Sequence, residues 1–126
     1  MGTPRPTPAE LEILRVLWER GPSTVRDVQE ILQRVRRTGY TTVLKLLQIM
    51  TEKGLVSRDE NARAHVYQTR LGRSQTQRQL VRDLLDRAFG GSVASLVMQA
   101  LSGRRTSPDE ITKIRLLLDG LEGSER

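Results

Sequence analysis

The sequence predicts a mainly α-helical protein with one small β-hairpin, built as an N-terminal winged helix-turn-helix followed by a second helical region. Helix-start signatures occur at Thr7-Pro8-Ala9-Glu10, at Ser23-Thr24 with Asp27, at Ser74 with Gln77 and at Ser107-Pro108-Asp109-Glu110, and apolar residues at helical spacing follow each one. Between the third and fourth helices the period changes, and Leu55 to Thr69 alternates as two strands around a turn. Three helices and then a hairpin is the order of a winged helix, and the basic residues concentrate in that part of the chain.

The first helix starts where Thr7 caps, Pro8 takes the first helical position and Glu10 completes a capping box. Leu11, Leu14, Leu17 and Trp18 continue it to Gly21-Pro22, with Trp18 as a core anchor. Ser23-Thr24 and Asp27 open the second helix, whose stripe is Val25, Val28, Ile31, Leu32 and Val35, so it should span Val25 to Val35. The third runs from Gly39 to Gly54. Its residues Val43, Leu44, Leu47 and Met50 form one stripe, and Gly54 supplies the left-handed conformation that stops it. The hairpin follows as Leu55 to Asp59, a turn at Glu60-Asn61-Ala62, and Ala64 to Thr69. Leu80, Val81, Leu84, Leu85 and Ala88 mark a fourth helix up to Gly90-Gly91. A fifth begins at Ser92 and a sixth at Ser107-Pro108. The expected division is a winged-helix domain over 6–72 and a helical domain over 73–122.

Composition narrows the function. The chain has 126 residues, 37% hydrophobic residues and no apolar run near the roughly 20 residues of a membrane span. Met1 to Pro8 lacks the apolar core of an export signal, so a cytoplasmic protein is expected. Zero cysteines exclude disulfides and thiolate metal or redox sites. No metal or other cofactor is expected, because a single histidine, His65, makes no metal site alone. A net charge of +6 favours a polyanionic partner. Met1 to Arg73 carries 13 basic and 8 acidic residues, whereas Ser74 to Arg126 carries 8 and 7, so the positive charge lies with the winged helix.

Within that half the third helix is the candidate reader of double-stranded DNA. Thr41, Lys45 and Gln48 fall on the face opposite its apolar stripe, and none of the three is a carboxylate that would repel phosphate. Any amphipathic surface helix has a polar face, so the pattern alone does not distinguish reading from solvation. The helix-turn-helix context does. Arg34, Arg36 and Arg37 precede this helix at a place suited to phosphates, and Arg58, Arg63, His65 and Arg70 surround the hairpin turn. Arg58 and Arg63 suit the backbone or a narrow groove.

The chain resembles the penicillinase-repressor family (BlaI/MecI type). The resemblance rests on T-P-A-E-L-E-I-L-R-V-L-W at Thr7 to Trp18, Y-T-T-V-L at Tyr40 to Leu44, E-K-G-L-V at Glu52 to Val56, R-A-H-V-Y at Arg63 to Tyr67 and F-G-G-S at Phe89 to Ser92. It implies a homodimeric bacterial transcriptional repressor that binds a palindromic operator. By that resemblance Tyr40, Thr41, Thr42 and Lys45 contact DNA in the major groove, and Arg63 and His65 lie in the wing. Leu80, Leu84, Phe89, Leu96 and Leu117 fall in the dimerisation region. Two departures stand out. The family's copper-responsive branch ends in a cysteine motif that this chain lacks. Penicillinase-type members are inactivated through cutting of an Asn-Phe bond, which makes a protease a further expected partner, yet the only asparagine here is Asn61 and Phe89 follows Ala88.

Rival readings find less support. An enzyme reading finds no cysteine nucleophile, no glycine-rich phosphate loop and no paired-histidine metal motif in the sequence, and the single histidine lies in the hairpin. A small-molecule-responsive regulator would need a lined pocket, for which only Trp18, Tyr40, Tyr67 and Phe89 supply aromatic rings. A winged helix used only for protein contacts would show no salt-dependent affinity for DNA.

Overall fold

Thr7 and Glu10 close a reciprocal cap at the start of the chain's first helix, α1 (Pro8–Arg20): the Thr7 hydroxyl accepts from the Glu10 amide at 3.2 Å and the Glu10 carboxylate accepts from the Thr7 amide at 2.9 Å. Thr24 and Asp27 repeat the device at α2 (Val25–Gln33), where Arg20 at the end of α1 also pairs with Asp27 at 3.2 Å. The Thr24 amide first, then its hydroxyl and the Arg20 charge, hold the Asp27 carboxyl below its ordinary value against a smaller upward push from burial. The computed structural model describes residues 5–61 and 63–124. Ala62, assigned above to the hairpin turn, lies outside them.

After α2 come α3 (Tyr40–Lys53), β2 (Val56–Asp59) and β3 (Val66–Thr69), with a two-residue strand β1 (Ser23–Thr24) preceding α2. The sheet is antiparallel in the order β1-β3-β2, with Ser23 opposite Tyr67 and Arg58 opposite Tyr67 on its other edge. β1 is absent from the sequence reading because Thr24 serves two purposes. The extended backbone that lets it cap α2 (φ −82, ψ 168) also lets it pair with Val66.

The helices and the sheet meet on one core. Ile13, Val28, Val43, Leu47 and Met50 are fully buried there, with Val56 and Tyr67 contributed by the strands. Each such side chain contributes about 1.5–3 kcal/mol relative to exposure. Gly54, at φ 80, ends α3 with its amide on the Met50 and Thr51 carbonyls, and so turns the chain directly into the hairpin. Trp18 is half-buried against the core, its indole N–H donating to the Leu71 carbonyl at 3.2 Å while the Arg73 guanidinium sits 6.0 Å from the ring centroid.

Three boundaries differ from expectation. α2 ends at Gln33 and Val35 is 86% exposed, because the backbone tightens after Leu32: the Val35 and Arg36 amides both donate to its carbonyl. α4 (Arg73–Ala88) starts before Ser74, which therefore lies inside the helix rather than capping it. The strands begin at Val56 and Val66 rather than at Leu55 and Ala64.

The chain divides into two compact units between Val81 and Arg82, inside α4. The second unit holds the rest of α4, α5 (Val93–Ser102) and α6 (Pro108–Ser124). Ser92 and Ser107 cap α5 and α6 through hydroxyls that accept from the Ser95 and Glu110 amides at 3.1 and 3.2 Å. The turn before α5 uses Gly90 and Gly91 at φ 55 and 82, a consecutive left-handed pair that residues with a Cβ resist. No described residue of α5 or α6 is buried. Among the described residues, no helix is long and apolar enough to cross a membrane.

The contact that joins the first helix to the third is ionic. Lys53, in the last turn of α3, donates to the Glu10 carboxylate at 2.7 Å, and Glu10 is only 2% exposed. Burial pushes the Glu10 carboxyl up, but the Lys53 hydrogen bond, the Thr7 amide, the Lys53 charge and the Thr7 hydroxyl together bring it below its ordinary value. Because folding lowers this pKa, the stabilisation is complete above the unfolded value of about 4.3 and is lost as pH falls through the folded value. Glu10→Gln should therefore cost about 2 kcal/mol at neutral pH, since it removes a hydrogen bond to a charged group. Urea unfolding across the acid range should also show a shallower loss of stability in the variant than in the parent.

Candidate nucleic-acid interface

α3 sets a buried apolar stripe against an exposed polar face, with Ile49 the one large apolar side chain of the helix that is exposed beside Tyr40. Val43, Leu47 and Met50 are 0% exposed, whereas Thr41, Thr42, Lys45 and Gln48 are exposed, as is Tyr40 at the first position. The first turn of the helix holds no acidic residue, and the helix dipole there favours an anion. Gly39 precedes it as an N-cap with no side-chain hydrogen bond. Among the described residues, the side chains of Thr41, Thr42, Lys45 and Gln48 take part in no hydrogen bond or ion pair, so their side-chain donors remain open to a partner.

The hairpin and the start of α2 border the same end of α3. Tyr40, Arg63 and His65 line one open cavity of about 340 Å³ with Thr24, Arg26 and Tyr67. Three of the expected site residues are thereby brought together. Arg26 joins them unannounced: in the sequence it is one more polar residue in a helix's first turn, and only the fold carries it to residues nearly forty positions away. Two arginines, a histidine and two phenols with no carboxylate in the lining suit a phosphate oxygen.

The other arginines divide by engagement. Arg37 is exposed in the connection between α2 and α3 and forms no ion pair among the described residues. Arg36 is tied to Glu12 of α1 at 3.0 Å. Arg58 is held inside the hairpin, where the Tyr67 hydroxyl and the Glu60 carboxylate keep its guanidinium charged and oriented. Its charge is thus partly spent within the fold, a condition the sequence does not reveal.

The expected dimerisation residues are divided between the two units. Leu80 belongs to the first unit and is half-buried; Leu84, Phe89, Leu96 and Leu117 belong to the second. There Leu84 is 49% and Leu117 63% exposed, and Leu116, Leu118 and Leu121 are exposed beside it. No group of three or more potential metal ligands occurs among the described residues.

A helix-turn-helix with a two-stranded wing, presenting an exposed polar helix face whose first turn holds no acidic residue beside clustered arginines, defines a DNA-binding winged-helix regulator. Comparison with known proteins makes the class specific. The chain matches the penicillinase repressor family model over residues 6–120, and it belongs to that family. It is 36% identical over 116 residues to a transcriptional regulator BlaI of Mycobacterium tuberculosis, covering 90% of this chain and 82% of that one. It is 23% identical over 116 residues to a penicillinase repressor of Bacillus licheniformis, covering 92% and 91%. Among solved structures, the solution structure of the monomeric form of Bacillus licheniformis BlaI in complex with the blaP half-operator shares the fold, with a TM-score of 0.51 and 23% identity over 58% of this chain and 89% of that one. The protein is therefore a DNA-binding transcriptional repressor and not an enzyme.

Proposed function

We propose that the protein acts in the bacterial cytoplasm as a homodimer on a palindromic operator, with each α3 in a major groove and each wing along the adjacent backbone or minor groove. The observation that carries this reading is the outward face of α3, where Tyr40, Thr41, Thr42, Lys45 and Gln48 stand exposed over a fully buried stripe. Lys45 and Gln48 reach acceptors on guanine and adenine edges, and the threonines reach either a base edge or the thymine methyl. Arg26, Arg37, Arg63 and His65 supply phosphate contacts around that face, with Arg58 contributing from within the hairpin. In this division, affinity comes from the phosphates and discrimination from the helix. The complex of a relative with a half-operator supports it.

The dimer is proposed from the helical region, residues 73–122. Its helices leave Leu84, Leu117, Leu118 and Leu121 open to solvent, and a second copy would cover them at a symmetric interface. Leu80, Phe89 and Leu96 are the half-buried flank of that interface. Two half-sites then set the symmetry of the target.

Three outcomes are expected. Footprinting on DNA upstream of the protein's own gene should reveal a two-fold symmetric protected site whose half-sites lie about one or two helical turns apart; a single unsymmetric site would remove the dimer from the reading. Lys45→Ala should weaken operator binding by about 1–3 kcal/mol, and random duplex by less. Arg63→Ala should instead weaken all sequences alike and reduce the salt slope by about one ion, as a phosphate contact requires. Fluorescence-anisotropy titrations of both variants at two salt concentrations separate these effects.

A further inference from the structure

The connection from α2 to α3 is held by two glutamine side chains. Gln29 and Gln33 stand four residues apart on one face of α2. The Gln29 amide donates to the Thr38 carbonyl at 3.1 Å, and the Gln33 carbonyl oxygen accepts from the Thr38 amide at 3.1 Å. A third bond, from Gln29 to Gln33 at 3.4 Å, links the pair. Both backbone polar groups of Thr38 are therefore claimed by α2, much as a neighbouring strand would claim them. The Thr38 hydroxyl closes the turn on the Arg36 carbonyl at 3.0 Å.

One residue further on, Gly39 caps α3 without any side-chain bond. The entry of α3 thus has no anchor of its own on its polar side. Its inner stripe sets the depth of the helix, but Val43 is the first fully buried residue, three positions beyond Tyr40. The placement of Tyr40 and Thr41 depends on where Thr38 is fixed.

We infer that Gln29 and Gln33 are positioning residues for DNA discrimination: through Thr38 they set the entry of α3, and so the register of Tyr40 and Thr41 against the base edges. This rests on the proposed reading of DNA by α3. The amides lie on the rim of the domain rather than in its core, so their loss moves the helix start without unfolding the protein. Hydrogen bonds to bases are directional, and a displaced donor loses them while phosphate attraction persists.

The test uses the full-length protein and the operator found by footprinting, with a scrambled duplex of equal length as reference. Gln29→Met combined with Gln33→Met keeps side-chain length and removes the bonds. The expected result is a preference for operator over scrambled duplex reduced about tenfold, comparable to one lost base contact, with unchanged affinity for scrambled duplex and an unchanged far-ultraviolet spectrum. In the free protein, amide hydrogen exchange at Thr38 should accelerate. Gln33→Glu alone retains the acceptor, and it should keep Thr38 protected and preserve the preference, at the cost of a uniform loss of affinity from its charge. A double-methionine variant that discriminates as well as the parent, or a Gln33→Glu variant that discriminates as poorly as the double-methionine one, would overturn the inference. A parent protein that does not prefer its operator would instead overturn the reading of α3 itself.

Discussion

The buried carboxylate of Glu10 ties together parts of the domain that are far apart in sequence. It completes the cap of α1 at one end and receives Lys53 from the last turn of α3 at the other. A carboxylate taken out of water is costly unless it is paired and hydrogen-bonded, and here it is both. The lysine also lies at the helix end where a cation opposes the partial negative charge of the carbonyls. One side chain thereby fixes where α3 ends with respect to α1, while Val43, Leu47 and Met50 fix how deeply it sits.

The basic residues of the first unit are of several kinds once the fold is known. Lys53 and Arg20 hold helices together through Glu10 and Asp27. Arg36 holds the inter-helix connection to α1, Arg73 covers Trp18, and Arg58 braces the hairpin through Glu60 and Tyr67. Arg26, Arg37, Lys45 and Arg63 face outward, as do Arg15, Arg34, Arg70 and Arg78. The net positive charge of the chain therefore overstates what is open to a polyanion, and the arrangement of the free charges says more than their sum.

Much of this was legible in the sequence, because it is carried by local spacing. The capping boxes at Thr7 and Thr24, the buried stripe of α3 and the left-handed stop at Gly54 follow from neighbours within four residues of each other, and each stands in the structure as read. The fold class follows from the order of those elements. What escaped was of two sorts. Ser23-Thr24 pairs as a strand because a distant Val66 and Tyr67 come alongside, and no two-residue pattern announces that. Val35 continues an apolar period on paper, yet the turn after Leu32 leaves it in solvent. The same limit applies to the site: the exposed face of α3 is a property of period, whereas the meeting of Arg26 with Arg63 and His65, and the grip of two glutamines on Thr38, are properties of the folded chain.

The clean division of α3 has a consequence for how such a protein changes over time. Thr41, Thr42, Lys45 and Gln48 form no hydrogen bond or ion pair with the rest of the domain among the described residues, and the core beneath them is built from other positions. Substitutions at these four sites leave cap, core and brace intact, so their stability cost is that of an exposed helix position, a few tenths of a kcal/mol for most residues. On the proposed reading of DNA by α3, gene duplicates diverge at the four positions and acquire new targets without first acquiring spare stability. The scaffold is in that sense evolvable where it is exposed and conservative where it is packed.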